Sequence, residues 1–116
     1  MSSFCLTEEQ LEFAAMAREF CQKRVFPATR ELDEEGMSDE FVGELASLGY
    51  LGASIPAEYG GMGLDPVSVA CLIEEFAKAN GGVATLIAAH LSLGCKTLEV
   101  FGNDAQKKKY LPDMAR

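Results

Sequence analysis

Gly60-Gly61-Met62-Gly63, just ahead of Asp65-Pro66, is the arrangement in this chain that comes nearest to ligand chemistry, because exposed N–H groups at a helix start attract anions. The spacing fits neither GxxxxGKS/T nor GxGxxG, and Asp65 places its own carboxylate where a phosphate would bind. The segment 55–65 therefore reads as a fixed turn, since Pro56 sets one φ and glycines reach backbone conformations closed to other residues. His90 is the only histidine, set among alanines and leucines. One histidine does not make a metal site. Without a Ser, Cys or Asp at a recognisable spacing it does not make a general base either, and a hydrogen-bonded core histidine is expected. In Glu8-Glu9 and Glu74-Glu75 the neighbours point in different directions on a helix, so neither pair can flank one bond; both are expected as surface charge. Cys5, Cys21, Cys71 and Cys95 show no CxxC spacing, which predicts reduced, buried thiols.

These residues need elements to hold them. Thr7 with Gln10 reads as a capping box opening a first helix. Along it, Leu11, Ala14, Ala15, Arg18, Cys21 and Val25 recur at three- and four-residue intervals, with Phe13, Met16, Ala17 and Phe20 widening the face until Pro27 interrupts the ladder. Residues 31–35 form an acidic tail ending at Gly36, a C-cap. Ser38, ahead of Asp39 and Glu40, caps a second helix with Phe41, Val42, Leu45 and Leu48 on its apolar face, and Gly49 ends it.

Residues 50–55 are expected to run extended into Pro56. Asp65-Pro66 starts a third helix and Asn80-Gly81-Gly82 closes it. From 83 to 101 the pattern is apolar nearly all round, with Leu86, Ile87, Leu91, Leu93, Leu98 and Val100 on several faces, which predicts a central helix enclosed by others. Lys96 and Glu99 interrupt it short of the run of about 20 apolar residues that a membrane span requires, so no span is expected. A last helix begins near Asp104.

At 116 residues, with 48% apolar and 24% charged side chains, the chain fits one folded domain that is all-α. A net charge of −8 argues against nucleic acid or an anionic membrane surface as partner. The one basic run, Lys107-Lys108-Lys109, follows a helix start at Asn103-Asp104 and is expected as a solvated helix face. Met1-Ser2-Ser3-Phe4 has neither the basic start nor the apolar core of a secretory signal, and no Arg-rich presequence is visible.

Leu6-Thr7-Glu8-Glu9-Gln10, Ile55-Pro56-Ala57-Glu58-Tyr59-Gly60-Gly61-Met62-Gly63-Leu64-Asp65, Glu74-Glu75, His90-x-Ser92-Leu93-Gly94 and Phe101-Gly102-Asn103-Asp104-x-Gln106-Lys107-Lys108-x-Tyr110-Leu111-Pro112 follow one another in an order and spacing that resembles the acyl-CoA dehydrogenases. The resemblance covers residues 6–112. It implies an orthogonal bundle of about five to six helices, with residues 1–116 as the N-terminal helical domain and the middle β-domain and C-terminal helical domain outside the chain. The shortened Gly36-Met37-Ser38 connection departs from a frequent aromatic-proline step and leaves any chain-length preference open.

In the family the helix equivalent to 83–101 borders the acyl pocket, which implies that Thr85, Leu86, Ala89, His90 and Leu93 line an acyl chain, as an apolar wall with few polar groups suits a fatty tail. Packing against a neighbouring helix accounts for the same spacing equally well. The family's catalytic glutamate, which takes the α-proton while the β-hydride passes to FAD, lies beyond this chain, as do the main flavin-binding segments. Hence no catalytic, cofactor-binding or metal residue is expected here, and the chain alone is expected to be inactive. The basic run has contact with CoA phosphates as its rival reading. The resemblance further implies acyl-CoA as substrate, the missing domains or other subunits of a homo-oligomer and an electron-transfer flavoprotein as partners, and the mitochondrial matrix or the bacterial cytoplasm as location. The rival to all of this is a stand-alone, non-catalytic helical module that binds an acyl group or a protein.

Overall fold

The computed structural model describes residues 5–116; the expectation drawn on Met1-Ser2-Ser3-Phe4 lies outside the described residues. Helix α1, Glu8–Phe20, starts on the expected capping box: the Gln10 amide donates to Thr7 Oγ1 at 3.1 Å and the Thr7 amide to Gln10 Oε1 at 2.9 Å. Its last turn widens into a π segment, Cys21–Val25, with the Phe26 amide reaching back to the Cys21 carbonyl. Pro27 has no N–H to continue the ladder, and the chain restarts as α2, Thr29–Glu35, which ends on Gly36 at φ 80°. Helix α3, Asp39–Ser47, is capped by Ser38 Oγ at 3.1 Å from the Phe41 amide.

Residues 50–55 are not extended. Gly49 turns the chain at φ 88°, and Tyr50–Gly52 coil into a 3-10 turn, with the Gly52 amide on the Gly49 carbonyl and the Ile55 amide on the Gly52 carbonyl. The cause is tertiary. Tyr50, Leu51, Gly52, Ala53 and Ile55 are all buried, and a segment drawn into the interior must satisfy its backbone donors locally when no strand is beside it.

Helix α4, Pro66–Ala79, starts as expected, with Asp65 Oδ1 accepting the Ser68 amide at 2.6 Å and proline in the first position. Its end differs from expectation. Asn80 is shared: it terminates α4 and caps α5, Gly81–Ala89, by accepting the Val83 amide at 3.0 Å, so Gly81 and Gly82 open the next helix. Its buried amide also donates to Thr29 Oγ1 at 2.7 Å and Asp33 Oδ1 at 2.9 Å, tying α2 to the α4–α5 joint. Helix α5 runs through a π segment, His90–Lys96, into α6, Thr97–Phe101, as one 21-residue rod. After Asn103, which makes a second capping box with Gln106, α7 covers Asp104–Met114.

The described residues thus form an all-α bundle without strands. Two core clusters hold it. The larger joins Ala17, Cys21 and Val25 of the first helix to Phe41, Leu45, Leu72, Phe76, Val83, Ile87 and Leu91; Phe20, Tyr50 and Phe76 form an aromatic trio, with Tyr50 and Phe76 edge to face at 5.1 Å. The smaller consists of Ile55, Cys95, Leu111 and Ala115.

The central rod is not enclosed by its neighbours. Val83, Ile87, Leu91 and Cys95 are buried on one side, whereas Leu93 is 75% exposed and Phe101 84%. The bundle is a slab of 43 × 41 × 19 Å, thick enough for about two helix layers at ordinary interaxial spacing, so a rod in one layer keeps an open side. By length and a mean hydropathy of 1.3 this rod is long and apolar enough to cross a membrane, so Lys96 and Glu99 do not cut the run as expected. They pair with each other at 3.6 Å, and the rod's buried side is committed to the bundle core.

Candidate functional site

The glycine loop spends its donors on itself. Ala57–Tyr59 form a 3-10 turn, after which the amides of Gly61, Met62, Gly63 and Leu64 donate in turn to the carbonyls of Pro56, Gly52, Ile55 and Ala53. Gly60 and Gly63 need their glycines for φ 88° and 63°, and at Gly61 a Cβ would collide with the Ile55 carbonyl. With these amides taken and the Asp65 carboxylate held below its usual range by the Ser68 backbone donor, the loop does not fit the pyrophosphate of FAD or the phosphates of CoA. The rigid connection read from the sequence is what the structure contains.

The five wall residues expected on the central rod do not share one environment. Thr85 is exposed and its hydroxyl donates to the Gly81 carbonyl at 2.8 Å. Leu86 is half-buried and packs on the larger core, Ala89 is half-buried at the entry to the π segment, and Leu93 faces outward. His90 is half-buried with its Nε2 2.8 Å from the Met114 carbonyl oxygen and 3.4 Å from Cys95 Sγ. Since a carbonyl only accepts, Nε2 carries the proton, and the histidine is bonded to the protein as expected of a core residue. Further along the rod Val100, 59% exposed, and Phe101 join Leu93 as apolar side chains left in solvent.

Among the described residues, clefts of about 300, 340 and 280 Å³ are lined by residues other than those of the wall. The first lies between α1 and α4, beside Arg18, Cys21, Phe26, Glu75 and Lys78. Here the expectation of surface charge fails for Glu75. Glu74 stays exposed, but Glu75 is 5% exposed and is gripped by Arg18, Nη2 to Oε1 at 2.9 Å and Nε to Oε2 at 3.3 Å, with Lys78 Nζ at 3.2 Å. The Arg18 hydrogen bonds hold its carboxyl below the usual carboxylate range against the cost of burial. The partner lies 57 residues away, so helical spacing within α4 does not reveal it; the signal was Arg18 itself, a cation inside an otherwise apolar repeat.

The thiols divide. Burial pushes Cys21 up to about 12 and Cys95 to about 11, so both stay protonated at neutral pH and neither is a nucleophile. Cys71 is half-buried and Cys5 is exposed, where burial was expected. Lys108 and Lys109 stand in solvent with Lys107 half-buried, as a solvated helix face.

Comparison with known proteins places this geometry. The family described as acyl-CoA dehydrogenase, N-terminal domain, matches residues 7–116. A short-chain-specific acyl-CoA dehydrogenase of Megasphaera elsdenii is 39% identical over 112 residues, covering 93% of this chain and 29% of that protein. The mitochondrial isovaleryl-CoA dehydrogenase of Pongo abelii is 36% identical over 112 residues, covering 94% of this chain and 26% of that one. The solved acyl-CoA dehydrogenase of Bacillus anthracis, complexed with FAD, superimposes with a TM-score of 0.86 at 40% identity over 96% of this chain and 19% of its own. The chain thus spans less than a third of the length of these relatives. Matched by that family over residues 7–116, the chain belongs to the acyl-CoA dehydrogenase family as its N-terminal domain.

Proposed function

We propose that this chain is the helical acyl-side part of a flavin-dependent acyl-CoA dehydrogenase, which oxidises an acyl-CoA to the 2-enoyl thioester, and that it contributes a wall and a packing face while base and flavin come from elsewhere in the full-length enzyme. The observation that carries it is the open side of the central rod, where Leu93, Val100 and Phe101 keep apolar surface in solvent although the opposite side is fully packed. Leu93 supplies the exposed part of that wall together with Thr85 and the half-buried Ala89, Leu86 backs it from the larger core, and His90 belongs to it through position, with its polar edge turned to α7. FAD is held by segments other than the glycine loop, and electrons leave to an electron-transfer flavoprotein. Of the three named relatives two come from bacteria and one from a mitochondrion, and we infer the bacterial cytoplasm or the mitochondrial matrix as the location of the full-length enzyme.

Grafting residues 7–116 in place of the equivalent segment of a full-length relative tests the reading. The graft is expected to bind flavin and turn over acyl-CoA with an artificial acceptor, and Leu93→Trp in it to shift preference toward shorter chains; a wild-type profile in the Leu93→Trp graft overturns the wall. The 116-residue chain alone is expected to show no turnover and no saturable heat with acyl-CoAs, whereas saturable binding by it favours a stand-alone acyl-binding module.

A further inference from the structure

Helix α7 ends at Met114, and Ala115 after it keeps right-handed helical angles (φ −80°, ψ −14°), its amide still donating to the Leu111 carbonyl at 3.0 Å. The Met114 carbonyl, beside Ala115 at 5% exposure, is a part-buried acceptor that requires a partner. The partner is the imidazole of His90, 24 residues earlier in sequence, at 2.8 Å.

Three features of the surroundings are built for that contact. His90 and Cys95 stand five apart in a π segment whose i to i+5 turn brings both toward α7, so that Cys95 Sγ lies 3.4 Å from the same Nε2. Gly94 leaves room for Met114, whose Cε would be 3.2 Å from a Cβ there. Gly52 lets Ala115 approach so closely that a Cβ would lie 2.7 Å from the Ala115 carbonyl oxygen.

We propose that His90 is a latch: a positioning residue whose Nε2–H, donated to the Met114 carbonyl, clamps the end of α7 onto the π turn and so sets the orientation of that turn. Ala89 precedes this turn and Leu93 lies within it, so the latch governs how the wall is presented; that consequence rests on the function proposed above, whereas the latch itself does not. The latch also separates two jobs within one short segment. His90 points its donor into the protein, and Leu93 leaves it for solvent.

Amide exchange of the 15N-labelled chain, measured without ligand, tests the latch independently of any acyl binding. In His90→Leu the Ala115 amide is expected to exchange about tenfold faster, the loss of roughly one buried hydrogen bond, and the Ser92 and Leu93 amide shifts to move. In His90→Gln, whose side-chain amide places a donor at similar reach, exchange is expected within about threefold of wild type, with the shifts restored. Equal exchange in all three proteins, or His90→Gln as fast as His90→Leu, overturns the proposal. Should His90→Leu not fold, the wild-type imidazole still decides: a slowly exchanging Nε2–H close to the Met114–Ala115 peptide supports the latch, and a neutral Nδ1–H tautomer overturns it.

Discussion

The junction of α1 with α4 and the junction of the central rod with α7 are held by different means. At the first, the aromatic trio of Phe20, Tyr50 and Phe76 lies over a continuous apolar cluster, and the Arg18–Glu75–Lys78 group closes its edge. At the second, four buried residues, two glycine contacts and one histidine bond do the work. Many contacts share the load in the one, so the loss of a polar bond is absorbed; in the other fewer contacts do so, and the His90–Met114 bond carries a larger share. The difference teaches where this fold is rigid by mass and where it is set by a device.

Truncation at the two centres tests that contrast most strongly. Phe76→Ala is expected to cost about 3–5 kcal/mol in urea or thermal unfolding, because the ring is fully buried and three elements meet on it. Leu111→Ala, in the smaller cluster, is expected to cost about 2–3 kcal/mol. An equal or larger loss at Leu111 would break the comparison.

Asn80→Ala sharpens it, since this side chain caps α5 and ties α2 to the joint; about 2 kcal/mol is expected, read in the same unfolding assays. Glu75 adds a pH signature. Its folded pKa lies below the ordinary 4.5, so the stability it contributes is fully present above that value and is lost as pH falls through the lower, folded pKa. Unfolding followed from pH 7 downward is therefore expected to steepen below about 4.5, and Glu75→Gln, about 1–2 kcal/mol less stable at pH 7, to lose that part of the slope. An unchanged slope in Glu75→Gln would remove Glu75 from the account of the α1–α4 edge. Leu93→Ser is expected to change stability by less than about 0.5 kcal/mol, because the side chain already stands in solvent.

Much of the secondary structure was legible because its signals are local. The boxes and caps at Thr7, Ser38 and Asp65 act within three residues of themselves, and each sits where its neighbours' types require. The glycine loop was legible for the same reason: Pro56 and glycines at 60, 61 and 63 leave few backbone paths. The site was legible only as a segment. The rod at 81–101 stands out by its apolar run, yet periodicity taken across a π turn does not say which side faces out, and Leu86 and Leu93 went to different environments.

From the residues alone come most of the helices with their N-caps at Thr7, Ser38 and Asp65, the rigid loop and the family. Tertiary structure alone decided that residues 50–55 coil inward, that Glu75 is a buried ion-pair partner, that Asn80 serves two helices and three acceptors or donors at once, and that His90 is spent on Met114. The physical reason is range. Caps and turns are settled by atoms a few bonds away, whereas burial and pairing depend on which distant surface arrives, 57 residues off for Glu75 and 24 for His90.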